Sequence, residues 1–158
     1  MNNNLTTINQ SSKLVLTKSK KLLNVTNKIL ANKKKNEQIA YSWIDKLWKW
    51  ADDNNVPDLR AGYNNILEGI PRIESDLLSI NTLNLSGFEL TTIPKELFNL
   101  TNIRFLNLSK NKLISIPNEI QNLENLENLT LQLNKLETLP NGICNLSRLE
   151  SLNLCNNK

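Results

Sequence analysis

The sequence predicts an α/β solenoid: stacked coils with a parallel β-sheet on the concave face and a helical cap at the N-terminal end. Two observations carry this. Residues 67–158 divide into consecutive periods of 23 residues, and leucines alternate at period two near the end of each. A tryptophan-bearing amphipathic segment stands immediately before them.

The periods match without gaps. LTTIPKELFNLTNIRFLNLSKNK spans 90–112, LISIPNEIQNLENLENLTLQLNK spans 113–135 and LETLPNGICNLSRLESLNLCNNK spans 136–158. The period before them, LEGIPRIESDLLSINTLNLSGFE at 67–89, keeps Ile70-Pro71 and the closing leucines. It places Glu74 where the others hold an aliphatic residue, and Phe88 where they hold asparagine.

Spacing dictates the expected structure. Leu106 and Leu108, Leu129 and Leu131, and Leu152 and Leu154 lie on short strands, where period-two alternation turns them inward. Stacking one coil on the next makes the strands a parallel sheet and the leucines a continuous core. Asn111, Asn134 and Asn157 are expected to turn inward at the strand ends, bonding backbone groups that the irregular turn leaves unpaired. Pro71, Pro94, Pro117 and Pro140 fix φ on the convex return, ahead of a short helical turn. Leu97, Ile120 and Ile143, with Leu100, Leu123 and Leu146, back that turn onto the core.

A stack of coils exposes its core at both ends, so terminal elements must cover it. Residues 37–66 are read as that cap, and EQIAYSWIDKLWKWADDNN at 37–55 as its helix. Ile39, Trp43, Leu47 and Trp50/Ala51 recur at helical spacing, with Asn36 as N-cap and an Asp-Asp-Asn-Asn run with Pro57 as the stop. No equivalent follows Lys158, so Leu139, Leu149, Leu152 and Leu154 are expected at an apolar edge, with self-association of the last coil one way to cover it.

The half-pattern L-x-x-L-x-L-x-x-N, at Ile103–Asn111, Leu126–Asn134 and Leu149–Asn157, is the signature of leucine-rich repeats. The period LxxIPxxIxxLxxLxxLxLxxNx resembles the intracellular repeats of the Ras-suppressor and Scribble type. With its W-I-x-x-L-W-x-W-A-D helix, 37–158 is similar to bacterial leucine-rich-repeat proteins, including effectors of host-associated bacteria. The resemblance implies protein–protein interaction on the concave sheet. It also implies a cytoplasmic location, or export into a host cell by a specialised secretion system.

Outward strand positions form the candidate binding face. They are Thr82, Asn84 and Ser86; Phe105, Asn107 and Ser109; Asn128, Thr130 and Gln132; and Ser151, Asn153 and Cys155, with Arg104, Glu127 and Glu150 alongside. The core does not dictate these side chains, and Phe105 is the aromatic candidate for an interface anchor.

Composition narrows the function classes. With no histidine, a Ser–His or Cys–His catalytic pair cannot exist within the chain. Two cysteines, Cys144 and Cys155, are too few for a disulfide scaffold or structural zinc site, and both fall inside the repeats. The reading is therefore non-enzymatic, with no cofactor or metal. Asn-Leu-Ser/Thr triplets at Asn84, Asn107 and Asn128 follow from the repeat itself and accompany no secretory signal.

Charge is split along the chain. Residues 1–36 carry eight lysines (13, 18, 20, 21, 28, 33, 34 and 35) and no acid. Removing these from the 19 basic residues leaves eleven against 15 acidic ones, a net of −4 for the remainder. A mildly acidic repeat region argues against nucleic-acid binding. The tail reads as disordered or marginally helical; Val15, Leu22, Val25 and Ile29 make a partial apolar stripe that suits weak contact with an anionic membrane. A membrane-surface adaptor is thus one alternative function. Another is the recognition fragment of a longer enzyme such as a ubiquitin ligase, since some bacterial leucine-rich-repeat effectors carry such a domain.

Overall fold

Each strand of the main sheet lies 23 residues from its neighbour in sequence. Thr82, Phe105, Asn128 and Ser151 sit side by side, as do Leu83, Leu106, Leu129 and Leu152. The register equals the sequence period, so a residue's place in its coil fixes its place in the sheet.

The computed structural model describes residues 27, 28, 30–32, 43–61 and 67–158, in two units divided after Ser42. In the first unit, the described residues of 27–32 are helical and exposed. The other expectations for the basic segment, with Asn36 and Ile39, lie outside the described residues. No helix among the described residues is long and apolar enough to cross a membrane.

The second unit opens with helix α1 (43–53), followed by a two-stranded antiparallel ribbon of β1 (Arg60–Ala61) and β2 (Leu67–Glu68). Helix α2 (Glu74–Ser79) leads into the parallel sheet of β3 (Thr82–Asn84), β4 (Phe105–Asn107), β5 (Asn128–Thr130) and β6 (Ser151–Asn153). Between the strands run 3-10 turns at Lys95–Asn99, Asn118–Asn122 and Asn141–Asn145.

Each 3-10 turn begins directly after a proline, Pro94, Pro117 or Pro140, whose φ of −72°, −57° or −69° its ring already favours. Each is closed by the amide of Leu100, Leu123 or Leu146 donating to the carbonyl three residues earlier. In the first coil α2 takes the place of such a turn. Glu74, at the position of Leu97, starts that helix, where with Asp76 it suits the positive N-terminus, and Leu77, at the position of Leu100, is the buried residue of α2.

Leu83, Leu106 and Leu129 are at most 2% exposed, and Leu85, Leu108 and Leu131 wholly buried. Burying each such side chain contributes about 1.5–3 kcal/mol. On the last coil Leu152 is 38% exposed and Leu139 36%, while Leu149 and Leu154 are partly buried. β6 is an edge strand of the four-stranded sheet.

The expected inward asparagines form a ladder. Asn111 Nδ2 donates to the carbonyls of Leu85 (2.8 Å), Leu108 (3.0 Å) and Ser109 (3.2 Å), and its Oδ1 accepts from the Leu90 amide at 3.0 Å. Asn134 repeats the set one coil on, and Asn157 repeats three of its four bonds, with less burial at the edge. Phe88, in place of the first ladder asparagine, packs partly buried against the core.

Helix α1 corrects the expected phase of its apolar stripe. Ile44, Leu47 and Ala51 are the buried positions, spaced i, i+3 and i+7, while Trp43, Trp48 and Trp50 flank them partly buried. Bulky indoles cover the margins, and Trp48 Nε1 donates to the Pro71 carbonyl at 2.9 Å. Arg72 ties the same junction, donating to the carbonyls of Trp48 and Val56 and to Asp52 Oδ1 at 2.7 Å. Gly69, at φ 101°, is required there because a Cβ would stand 2.5 Å from the Pro57 carbonyl oxygen.

Candidate functional site

The sheet face opposite the leucines carries the side chains that packing leaves free. Thr82, Phe105, Ser151 and Cys155 are exposed there, and Ser86, Asn107, Asn128, Thr130, Gln132 and Asn153 are half-buried. A shallow depression of about 280 Å³ is lined by Thr82, Asn84, Phe105, Asn107, Asn128 and Thr130, with Leu83 and Leu106 in the same wall.

Two candidates do not sit as expected. Asn84 is 9% exposed and Ser109 4%, so neither presents a free side chain. The cause is local: Asn84 Oδ1 accepts from the Ser86 amide at 3.2 Å, while Ser109 donates from Oγ to Asn107 Oδ1 at 2.7 Å. Asn107 and Asn153 make the same turn, each accepting from the amide two residues on. These asparagines are half committed to their own backbone, which period-two alternation cannot reveal. At the matching position of β5, Thr130 breaks the pattern.

Phe105 stands apart, 39% exposed among amides and hydroxyls. Arg104, just before it, meets Glu127 one coil on through two hydrogen bonds of 2.8 Å, Nε to Oε1 and Nη2 to Oε2. Glu127, first through these bonds and then through its charge, raises the Arg104 pKa above its ordinary value. The clamped guanidinium lies 5.6 Å from the Phe105 ring centroid, within cation–π range. The aromatic is thus held beside a fixed ion pair on the rim of the depression. Arg104 has no equivalent in the other coils, where Asn81, Glu127 and Glu150 hold its position, so the repeat gave no sign of the clamp.

Gln132 and Asn153 are joined side chain to side chain, Asn153 Nδ2 donating to Gln132 Oε1 at 3.2 Å, which makes the β5–β6 part of the face an amide pair. Cys155 and Cys144 are free and exposed. Away from the face, a second amide ladder escaped the sequence reading. Asn102 Nδ2 donates to the Leu78 carbonyl and Asn125 Nδ2 to the Thr101 carbonyl, and Arg148 continues the series to Asn125 Oδ1. The sequence signal was present, in Asn102, Asn125 and Arg148 at 23-residue spacing.

No protein-family model matches the chain, and no curated protein does. Among solved structures, a leucine-rich-repeat protein of Leptospira interrogans is similar, at 41% identity and a TM-score of 0.52 over 52% of this chain. The match covers 21% of that protein, so the chain spans a minor part of its length. With the four-stranded parallel sheet, the likeness makes this chain leucine-rich-repeat-like and its fold solenoid-like.

Proposed function

We propose that the chain is a non-catalytic interaction module that binds another protein through the face of β3–β6, the concave side of a leucine-rich solenoid. Its repeats are read as the intracellular Ras-suppressor and Scribble type, with residues 37–66 as the cap of the first coil. The observation that carries the reading is Phe105: an aromatic side chain left in the open, beside an ordered ion pair and a depression lined by neutral donors and acceptors. Aromatic anchors surrounded by adaptable polar groups are the residues that carry most of an interface's energy. The Leptospira relative supports the general class, and the effector-like role of a bacterial protein is part of the proposal.

Affinity capture from lysates of the producing cell and of candidate hosts tests it, comparing the unaltered chain with Phe105→Ala and Asn107→Asp. Asp keeps the carbonyl acceptor that Ser109 uses while adding a charge to the face, so it perturbs binding with little effect on the fold. The expected outcome is a captured protein that both substitutions release. Identical captured proteins for all three forms would count against the face.

A further inference from the structure

The edge of the stack that follows the strands is built differently in its middle coils from its end. The ladder asparagines are each followed by a lysine, Lys112, Lys135 and Lys158. Lys158 Nζ meets Glu137 Oε1 at 3.1 Å, and Lys112 Nζ meets Glu89 Oε2 at 3.2 Å. Translating the Lys158–Glu137 pair back one period puts Lys135 at the lysine position and Ile114 at the carboxylate position. Lys135 enters none of the ion pairs among the described residues, and neither does Lys110.

Ile114 is 61% exposed, although the same position holds Thr91 in the coil before and Glu137 in the coil after. Leu133 is 43% exposed and held at φ 57°, where the other coils place Gly87, Lys110 and Asn156. That left-handed backbone is costly for leucine and cheaper for glycine or asparagine. The coil thus carries two departures here that its own packing does not reward. They are neighbours: the Leu113 amide donates to Asn134 Oδ1 at 3.1 Å and the Lys135 amide to the Leu113 carbonyl at 2.9 Å. These bonds bring the backbones of Ile114 and Leu133 into adjoining turns beside Lys135.

We propose that this edge is a second docking surface, distinct from the strand face, which takes an acidic, apolar polypeptide segment. A carboxylate of the segment pairs with Lys135, standing in for the glutamate that Ile114 replaces. An aliphatic or aromatic side chain beside it covers Ile114 and Leu133. Charge fixes the sign of the partner: Lys110, Lys112, Lys135 and Lys158 recur along the turns that carry the two apolar side chains, against two acids, Glu89 and Glu137, already paired with Lys112 and Lys158.

Selection of phage-displayed random dodecapeptides on the full chain tests this, with the Ile114→Thr/Leu133→Asn double variant as counter-target. Both replacements are residues that sibling coils carry at those positions, so the fold is retained, and a thermal melt no lower than that of the parent checks it. Enriched peptides with Asp or Glu beside Leu, Ile or Phe are expected. Their affinity should fall at least about tenfold on the double variant and on Lys135→Glu, fall with added salt, and change less than about twofold on Phe105→Ala. Peptides without an acidic excess, peptides indifferent to these edge substitutions, or no enrichment at all would each overturn the proposal. Because Phe105→Ala is silent here, failure at this edge is separable from failure at the strand face.

Discussion

Asn134 Nδ2 reaches back one coil to the carbonyl of Leu108 at 2.9 Å, while the same amide satisfies Leu131 of its own coil. One side chain thereby closes a turn and joins two coils. Asn134→Ala leaves the Leu108 and Leu131 carbonyls and the Leu113 amide without that partner in a buried setting. A loss of about 2–3 kcal/mol is expected, read from urea unfolding as a lower midpoint at unchanged slope. Asn157→Ala, at the half-buried edge, should cost less than half of that.

Position along the stack should grade the leucines in the same way. Leu131 is wholly buried between coils, and Leu131→Ala is expected to cost about 3–5 kcal/mol. Leu154 holds the equivalent position in the last coil but is only partly covered, so Leu154→Ala should cost about 1–2 kcal/mol. Equal losses in parallel denaturation curves would mean that the last coil is covered in solution.

Gly142 is fixed by its neighbour coil rather than by its own backbone. Its amide donates to Asn118 Oδ1 at 2.8 Å, and a Cβ there would stand 2.4 Å from the Asn118 carbonyl oxygen. Gly142→Ala should push the last two 3-10 turns apart and cost about 1–3 kcal/mol, visible as a lowered melting temperature.

The Arg104–Glu127 clamp should matter more for the orientation of Phe105 than for stability. The pair is partly exposed, with Arg104 about half accessible, so Glu127→Gln is expected to cost less than about 1 kcal/mol. Loss of the fixed guanidinium beside the ring should nonetheless appear as altered ring chemical shifts for Phe105 by NMR.

What could be read from the sequence was what recurs. The leucines, the prolines ahead of the turns and the ladder asparagines are set by stacking, and stacking imposes the same residue every 23 positions. The outward residues are not set by the core, and apart from Asn84, Asn107 and Asn153 they follow no period, so there the reading was coarser. It placed Asn84 and Ser109 in the open, whereas short-range bonds to the backbone and to Asn107 draw them in. It ran the α1 stripe through Trp43, Leu47 and Trp50/Ala51, whereas Ile44 is buried with Leu47 and Ala51 while Trp43 and Trp50 stay at the margin. The Arg104–Glu127 clamp and the Ile114–Leu133 pair depend on single departures from the repeat, visible only once the register places neighbouring coils side by side.

The central claim is that the β3–β6 face is where a protein partner sits. A photo-crosslinking amino acid at position 105 tests it most directly, compared with the same group at Gln121 on the 3-10 turns, both in the producing cell. The account predicts a discrete adduct from position 105 that is absent from position 121. The same adducts from both positions, or an adduct from position 121 alone, would contradict it.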